Sequence, residues 1–426
     1  MKLFITISRL IVGSLFVVSG LIKCNDTVGF SYKLNDYFAQ DVLNLEFLIP
    51  YSLLLAVCIC VVEIVLGVAV LFGLKNKLST TLILLMMLFF TWLTWYTSSC
   101  LEAQEAAGKL GETFSQNCVT DCGCFGDALK LAPKESFYKD LFLLIFTIPL
   151  FYFAFKNRIK KNTKREDVFY IVVSLLLIFG FGVLVIGWWF TVLFSAVLFA
   201  VVYLIKNKTK GDWLPLLATY VISLGFAYYC LENLPLKDFR AYKIGDNFQK
   251  NMSLPADAQK AVSDYIWTYT LDGKEQTLVD RGRGPEKYDD ILGVETVVIE
   301  EGDVPKIQDF TIESQDEDLT QQFLELDKLV MIIAYSLEKA DPNGMKVLQV
   351  MAKEAQDKGY TVIGITASGE DKKKEVKEAY NFNFDFYLCD EKVLKTIVRS
   401  NPGILVLEKG TVTQKVHWNA AHNLQF

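Results

Sequence analysis

The sequence is poor in the residues that usually accompany cysteine in zinc sites and redox motifs. Only two of its 426 residues are histidines, His417 and His422, and both lie far from the cysteine-rich segment. It contains no C-x-x-C spacing, which most dithiol redox motifs use. The formal net charge of −6 gives no indication of nucleic-acid binding. These absences exclude a Cys–His zinc site within the cysteine-rich segment and a C-x-x-C redox centre, and they give no support to nucleic-acid binding.

The chain is instead rich in apolar residues. Hydrophobic residues make up 52% of it and the mean hydropathy is +0.28, which is uncommon for a soluble protein. They are concentrated before residue 232, and the remainder has the composition of an ordinary globular domain. The sequence therefore predicts a membrane region followed by a soluble domain. We expect no cleavable signal peptide, because the first apolar segment is long enough to span a bilayer and lacks a small-residue cleavage site.

Seven segments are long and apolar enough to be membrane-spanning helices, which need about 20 such residues. They are residues 3–22, 50–73, 79–98, 138–155, 168–186, 189–205 and 213–231. The fifth and sixth segments are joined by residues 187–190, where paired tryptophans favour a tight turn at the membrane interface. A single long, broken helix is the alternative there.

Three short basic segments predict the orientation of the chain. Residues 75–77, 156–167 and 206–211 are rich in lysine and arginine, and all three lie in the cytoplasm if the N-terminus does. This orientation places the loop at residues 99–137 and everything after about residue 232 on the other side of the membrane. Disulfides persist on that side, so the cysteines of the loop are expected in an oxidising compartment.

Three of the nine cysteines fall within the segment CVTDCGCFGD, at Cys118, Cys122 and Cys124. Only Gly123 separates the last two, and a C-x-C disulfide closes a small, strained ring that is easily reduced. Strained and exposed disulfides are typical of exchange chemistry rather than of structural cross-links. The spacing therefore predicts thiol–disulfide exchange at Cys122 and Cys124, with Cys118 as a shuttle or resolving thiol.

The surrounding residues add further candidates and leave alternatives open. Lys130, Lys134 and the helix that starts near Pro133 would favour a thiolate in this segment. Cys100 and Cys24, each at the outer end of a predicted span, are second-tier redox candidates. Two other interpretations stay open: a permanent structural disulfide, and a zinc site that combines the three clustered cysteines with Cys100.

Three stretches of the membrane region resemble the DoxX/MauE family of redox-associated membrane proteins. They are SRLIVGSLFVVSGLIKCNDTVGF (Ser8–Phe30), EIVLGVAVLFG (Glu63–Gly73) and CGCFGDALKLAPKESFYKDLFLL (Cys122–Leu144). The resemblance covers a four-helix unit at residues 1–155 and implies thiol–disulfide chemistry in the periplasm. By similarity to membrane disulfide-forming enzymes related to vitamin K epoxide reductase, a quinone is a candidate electron acceptor.

Ionisable residues inside membrane spans are costly and usually face a partner or a cavity. Arg9 lies near the start of the first span and Glu63 near the middle of the second. We predict an Arg9–Glu63 pair that holds these two helices together, with a role in proton or quinone handling as the alternative. Trp92, Trp95 and Tyr96 are predicted to anchor the third span at the interface, and lining a quinone pocket is the alternative.

The C-terminal region predicts an α/β domain. Buried-strand patterns at residues 328–336 and 360–368 flank an amphipathic helix, and NPGILVLEKGTVTQKVHW (Asn401–Trp418) predicts a strand hairpin after a proline. This arrangement resembles thioredoxin-like folds, in which Pro402 would occupy the cis-proline position. The catalytic cysteines of that family would fall at residues 335–341, which contain none. The resemblance therefore implies a redox-inactive domain that binds or positions a partner.

The sequence thus predicts an inner-membrane protein with a cytoplasmic N-terminus and three parts. These are a four-helix bundle at residues 1–155, three further helices at 156–231 and an extracytoplasmic thioredoxin-like domain at 232–426. The predicted function is a thiol–disulfide oxidoreductase or disulfide-maturation factor that acts on an extracytoplasmic client protein. The alternative is a non-catalytic scaffold with permanently oxidised cysteines. We expect no metal and no nucleic-acid partner, and a transporter is disfavoured because matching interrupted helices are absent from the sequence.

Overall fold

The computed structural model divides the chain into two units. It describes residues 1–109, 114, 116–255, 257–260, 262–300, 302–314 and 317–426. Unit 1 comprises Met1–Arg240, Val398–Gly403 and Val416–Asn423, and unit 2 comprises Ala241–Ile397, Ile404–Lys415 and Leu424–Phe426. The predicted four-helix bundle and the three further helices therefore all lie within unit 1.

Unit 1 is built from long apolar helices. They are α1 Lys2–Asn25, α2 Thr27–Phe38, α3 Ser52–Phe72, α4 Asn76–Lys109, α5 Pro133–Phe155, α6 Lys164–Phe179, α7 Phe190–Lys208 and α8 Trp213–Asn233. All except α2 belong to segments that are long and apolar enough to cross a membrane, which gives seven spans among the described residues. The predicted number of spans is confirmed, and the protein is a multi-pass membrane protein.

The junction between α6 and α7 is a tight turn. A π-helical stretch, Gly180–Val185, extends α6, and α7 begins at Phe190. Gly187 has a φ of +70°, in the left-handed region that glycine adopts without a steric penalty. Because α6 and α7 pack against each other, the two segments are separate spans and not one broken helix.

The helices α1 and α3 cross at very close range because glycines lie at their contact. A Cβ atom at Gly67 would lie 2.7 Å from the carbonyl oxygen of Gly13, and one at Gly20 would lie 2.7 Å from the carbonyl oxygen of Cys60. Small residues at helix contacts let backbones approach in this way in membranes. The approach holds the C-terminal end of α1, with Lys23, firmly against α3.

The predicted pairing of Arg9 with Glu63 is wrong. Glu63 instead contacts the ammonium of Lys23 at 2.5 Å, and Arg9 donates to the carbonyl of Val70 at 2.9 Å and to the side chain of Asn162 at 2.7 Å. Side chains on a helix lean toward its N-terminus. On α1, this lean points the side chain of Arg9 away from Glu63. It points the side chain of Lys23, which lies more than three turns further along the helix, toward Glu63.

Unit 2 is an α/β region with two sheets. Its strands are β1 Val262–Leu271, β2 Lys274–Asp280, β3 Asp290–Glu300, β4 Glu313–Ser314, β5 Glu317–Asp318, β6 Leu329–Ile333, β7 Thr361–Thr366, β8 Phe386–Leu388, β9 Gly403–Glu408 and β10 Thr411–His417. Its helices are α9 Phe248–Met252, α10 Thr320–Leu324, α11 Pro342–Asp357, α12 Glu370–Ala379 and α13 Glu391–Ile397.

The larger sheet explains the apolar strand patterns of the sequence. Its strand order is β10-β9-β6-β7-β8-β4-β5, and β6 runs parallel to β7, which runs parallel to β8. Every residue of β6 is buried, as expected for a central strand covered on both faces. The smaller sheet is antiparallel, with the order β2-β1-β3. The α/β character predicted for this region is therefore confirmed.

Replacing Gly67 with alanine is expected to destabilise the protein. The new methyl group would lie 2.7 Å from a backbone oxygen of α1 and 2.9 Å from Val17 Cγ2, and overpacking of this kind costs about 1–3 kcal/mol. Thermal unfolding in detergent should show a lowered midpoint. The matched control is Gly225→Ala in α8, where a Cβ atom meets nothing within 4 Å. Equal midpoints for both variants would contradict the close crossing.

Candidate functional site

The loop between α4 and α5 places two thiols side by side. The sulfur atoms of Cys122 and Cys124 are 2.8 Å apart, and both thiols are free. Gly123 between them has a φ of +64°, a left-handed conformation that a residue with a side chain rarely adopts. The backbone N–H of Cys124 points at the sulfur of Cys122, with a separation of 3.4 Å. Closing a disulfide, about 2.05 Å long, requires only a small movement of the two sulfurs.

Helices α1 and α2 hold this loop in place. The hydroxyl of Ser19, on α1, lies 3.2 Å from the carbonyl oxygen of Cys124. Lys33, on α2, contacts Asp121 at 2.8 Å, and Asp121 accepts a hydrogen bond of 3.1 Å from the backbone N–H of Gly123. The turn between the two cysteines is thus fixed from both sides, which limits the positions that their sulfurs can take.

The two thiols have opposite electrostatic surroundings. A hydrogen bond from Cys124 lowers the pKa of Cys122 to about 6, against the effect of burial and with the help of Ser136 and Lys139. Ser136 Oγ lies 2.9 Å from the sulfur of Cys122. The hydrogen bond to Cys122, followed by burial, raises the pKa of Cys124 well above its ordinary value. These shifts favour the thiolate at Cys122 and the protonated thiol at Cys124.

The prediction that Lys130 and Lys134 favour a thiolate in this loop is wrong. Lys130 lies on the surface and approaches Asp127 at 3.9 Å, while Lys134 contacts Glu102 at 3.3 Å. The charge that acts on Cys122 comes from Lys139, in the second turn of α5. A helix places residues three or four apart on the same face. Once Ser136 is known to lie at the site, this spacing could have identified Lys139.

Cys118 and Cys100 form a disulfide with a Cα–Cα distance of 5.7 Å. This bond attaches the loop to α4. The role of Cys118 as a shuttle for Cys122 and Cys124 stays a prediction, since the structure gives Cys118 a different partner. Cys24 is fully buried and contacts the thiol of Cys60 across the α1–α3 crossing.

Arg399 belongs to the same unit and binds the end of the loop, which the sequence did not indicate. Its guanidinium contacts Asp127 at 3.0 Å and Asp26 at 3.0 Å. Burial raises the pKa of Asp26, but the adjacent Arg399 more than offsets this and holds that pKa below its usual range. The bond that precedes Pro402, in the same short segment of unit 1, is a cis peptide. Among the described residues, no group of three or more metal-binding side chains is arranged to hold an ion.

Alkylation of the reduced protein by iodoacetamide is expected to be fast at Cys122 and to start at low pH. Only the thiolate reacts, so a pKa of about 6 predicts a rate that rises through pH 6 and is flat above pH 7. Peptide mass spectrometry follows the reaction at each cysteine. Ser136→Ala should shift the midpoint upward, because it removes a donor to the thiolate. A midpoint near the ordinary value of about 8.5 in the unchanged protein would contradict the assignment.

Replacing both Cys100 and Cys118 with serine tests whether their bond is a structural cross-link. A disulfide typically contributes about 2–4 kcal/mol, so the double variant should unfold at a lower temperature. The rate of alkylation at Cys122 should stay unchanged at temperatures where the variant is folded. Loss of reactivity at Cys122 without loss of stability would instead favour the shuttle role predicted for Cys118.

The comparison with protein families matches the N-terminal helices. Residues 1–101 match the family MauE, described as methylamine utilisation protein MauE. The comparisons with curated proteins and with solved structures give no match. The matched range includes α1 to α3 and most of α4, and it ends before the loop that carries Cys122 and Cys124. The N-terminal helices are thus similar to MauE, over a shorter range than the unit at residues 1–155 predicted from the sequence.

Proposed function

We propose that the protein carries out thiol–disulfide exchange at Cys122 and Cys124. The observation that carries the proposal is the 2.8 Å separation of two free thiols whose pKa values are shifted in opposite directions. An exchange centre needs one thiol that is ionised and a second that is held ready to resolve the mixed disulfide. The disulfide between Cys100 and Cys118 leaves this pair as the only free thiols of the described part of the loop.

The reaction proceeds in two balanced steps. The thiolate of Cys122 attacks one sulfur of a client disulfide, and the other client sulfur leaves as a thiolate that takes a proton. Cys124 then loses its proton and attacks the sulfur of Cys122, which releases the second client thiol and forms the Cys122–Cys124 disulfide. The same steps in reverse transfer a disulfide to a client with two reduced thiols.

The proposed compartment, and with it the kind of client protein, depend on the orientation of the chain in the membrane. The basic loops at residues 75–77, 156–167 and 206–211 support an inner-membrane protein whose N-terminus lies on the cytoplasmic side. In that orientation the cysteine loop and unit 2 lie in the periplasm, where protein disulfides persist. The similarity of residues 1–101 to MauE supports an accessory role in the membrane. We therefore propose an extracytoplasmic client protein whose disulfides are formed or corrected.

We further propose that unit 2 has a thioredoxin-like fold that binds the client without reacting with it. The sheet order β10-β9-β6-β7, with α11 between the parallel strands β6 and β7, supports this fold. The segment after β6 contains no cysteine, and Cys389 is buried, which raises its pKa to about 11. A thiol with such a pKa is almost fully protonated at neutral pH and is a poor nucleophile.

A non-catalytic scaffold is the second candidate function. The disulfide between Cys100 and Cys118 favours a scaffold role for these two cysteines. The two candidate functions differ in the resting state of Cys122 and Cys124. Exchange requires that Cys122 and Cys124 are reducible, whereas a scaffold would keep them in a disulfide that resists reduction. Thiol labelling of native membranes, with and without a mild reductant, distinguishes the two.

Glutathione disulfide provides a direct test on the purified full-length chain. In the reduced protein it should convert the Cys122–Cys124 pair to a disulfide and release two molecules of glutathione. Cys124→Ser should accumulate a mixed disulfide of glutathione at Cys122, because the resolving thiol is gone. Cys122→Ser should form at least tenfold less mixed disulfide at Cys124, because burial still raises the pKa of that thiol and disfavours its thiolate.

The matched control is Cys58→Ser, which removes an exposed cysteine on α3 outside the loop. This variant should react with glutathione disulfide like the unchanged protein. If Cys124→Ser forms no mixed disulfide at Cys122, the exchange function is wrong.

A further inference from the structure

A cavity of about 310 Å³ lies directly beside the two thiols, and Cys122 and Cys124 both form part of its wall. Cys122 is only 8% exposed, so this cavity is an approach to its sulfur. Disulfide exchange requires the client sulfur to touch the attacking sulfur. The part of the client that carries the reacting cysteine therefore lies in or against this cavity during the reaction.

The remaining wall of the cavity is mostly apolar. Aromatic and aliphatic side chains provide most of the lining, with Phe30, Leu34 and Leu93 among them. Apolar surface of this kind is stabilised when another apolar group displaces water from it. The composition of the wall thus favours an apolar occupant next to the two sulfurs.

The polar side chains of the described wall are already occupied or closed off. The ammonium of Lys23 is buried against Glu63 at 2.5 Å. The hydroxyl of Tyr37 has less than 1 Å² of accessible surface, and that of Thr94 donates to the carbonyl of Phe90 at 2.9 Å. A charged or strongly polar group in the cavity would lose its hydration without gaining a partner. The occupant is therefore expected to be uncharged as well as apolar.

The cavity lies where a membrane span meets segments outside the spans. Phe90 and Leu93 belong to α4, which is a spanning helix. The facing wall includes Phe38, Leu43 and Leu45, which lie between the first two spans and are half-buried. A protein segment that approaches the cysteine loop from outside the membrane can thus reach the cavity.

The size of the cavity limits what it can hold. Its volume is at the lower end of the range of about 300–1,000 Å³ that is typical of small-molecule sites. This space suits one or two large side chains and is too small for a helix or a strand pair. In an exchange reaction, the side chains nearest to it are those beside the client cysteine.

We infer that this cavity is a specificity pocket, which binds a large apolar side chain next to the reacting cysteine of the client. The inference rests on the exchange function proposed above and names its class of substrate, a protein disulfide whose cysteine is flanked by phenylalanine, leucine or a similar residue. The bonds that form and break are those of the exchange steps, and the apolar side chain takes no part in them. Its burial holds the client sulfur against Cys122, which favours the reaction by proximity.

The test uses the full-length protein in lipid nanodiscs, reduced with a phosphine that is removed before the assay. The probes are two symmetric disulfides of acetylated tripeptide amides, in which cysteine is flanked on both sides by phenylalanine or by serine. Alkylation and mass spectrometry follow the formation of the Cys122–Cys124 disulfide. Each rate is divided by the rate of the same peptide with dithiothreitol, which corrects for intrinsic reactivity. The phenylalanine peptide should react at least about tenfold faster, because its side chain is buried in the pocket.

A pair of leucine variants locates the source of this preference. Leu43→Ser places a hydroxyl in the cavity wall and should reduce the preference for the phenylalanine peptide several-fold. Leu217→Ser is the matched control, because Leu217 lines a separate apolar cavity of about 580 Å³ whose lining includes neither thiol. It should keep the full preference. Both peptides are measured on the same preparation of each variant, so a partial loss of folded protein cancels in the ratio.

The outcomes separate the two proposals. If glutathione disulfide oxidises the thiol pair but the two peptides react at equal corrected rates, the pocket is wrong and exchange stands. If neither glutathione disulfide nor the peptides oxidise the pair, the exchange function fails as well. An unchanged preference in Leu43→Ser would show that it comes from partitioning of the peptide into the bilayer, which overturns the site. Equal peptide rates together with a phospholipid that stays bound in native mass spectrometry would assign the cavity to a lipid instead.

Discussion

An ammonium and a carboxylate that are buried in a membrane protein each lose several kcal/mol of hydration energy, and direct pairing offsets this loss. Lys23 and Glu63 meet this requirement by direct contact, and the contact fixes the rotation of α1 against α3. Ser19, one turn before Lys23, lies within hydrogen-bond distance of both Glu63 and the carbonyl oxygen of Cys124. The position of the thiol loop above the helices therefore depends on the same ion pair, which in turn needs the close crossing that Gly20 permits.

Two neighbouring cysteines exchange disulfides efficiently only if they differ. With Gly123 in the left-handed conformation, the sulfur of Cys122 receives the Cys124 thiol and backbone N–H as well as the Ser136 hydroxyl. Each of these donors stabilises the thiolate, so the pKa of Cys122 falls while that of its partner rises. The asymmetry comes from the arrangement around the pair and not from the C-x-C spacing, which is the same in both directions along the chain.

The features that the sequence predicted correctly are those that depend on local interactions. Hydropathy patterns predicted the seven spans and the α/β character of the C-terminal region, and cysteine spacing located the thiol pair. The partner of Glu63 was predicted wrongly because depth in the bilayer says nothing of the direction in which Arg9 and Lys23 lean along their helix. Arg399 joins the site through contacts with Asp26 and Asp127, which lie in distant parts of the chain. No local pattern marks such residues, so only the folded structure shows them.

One loop contains both a disulfide, at Cys118, and a pair of free thiols, Cys122 and Cys124. The disulfide from Cys118 to Cys100 ties the loop to α4 and lowers the conformational entropy of the unfolded chain. The same helix carries Phe90 and Leu93, which line the cavity beside the thiols. The disulfide therefore attaches the loop of the two free thiols to a helix that lines the same cavity as these thiols.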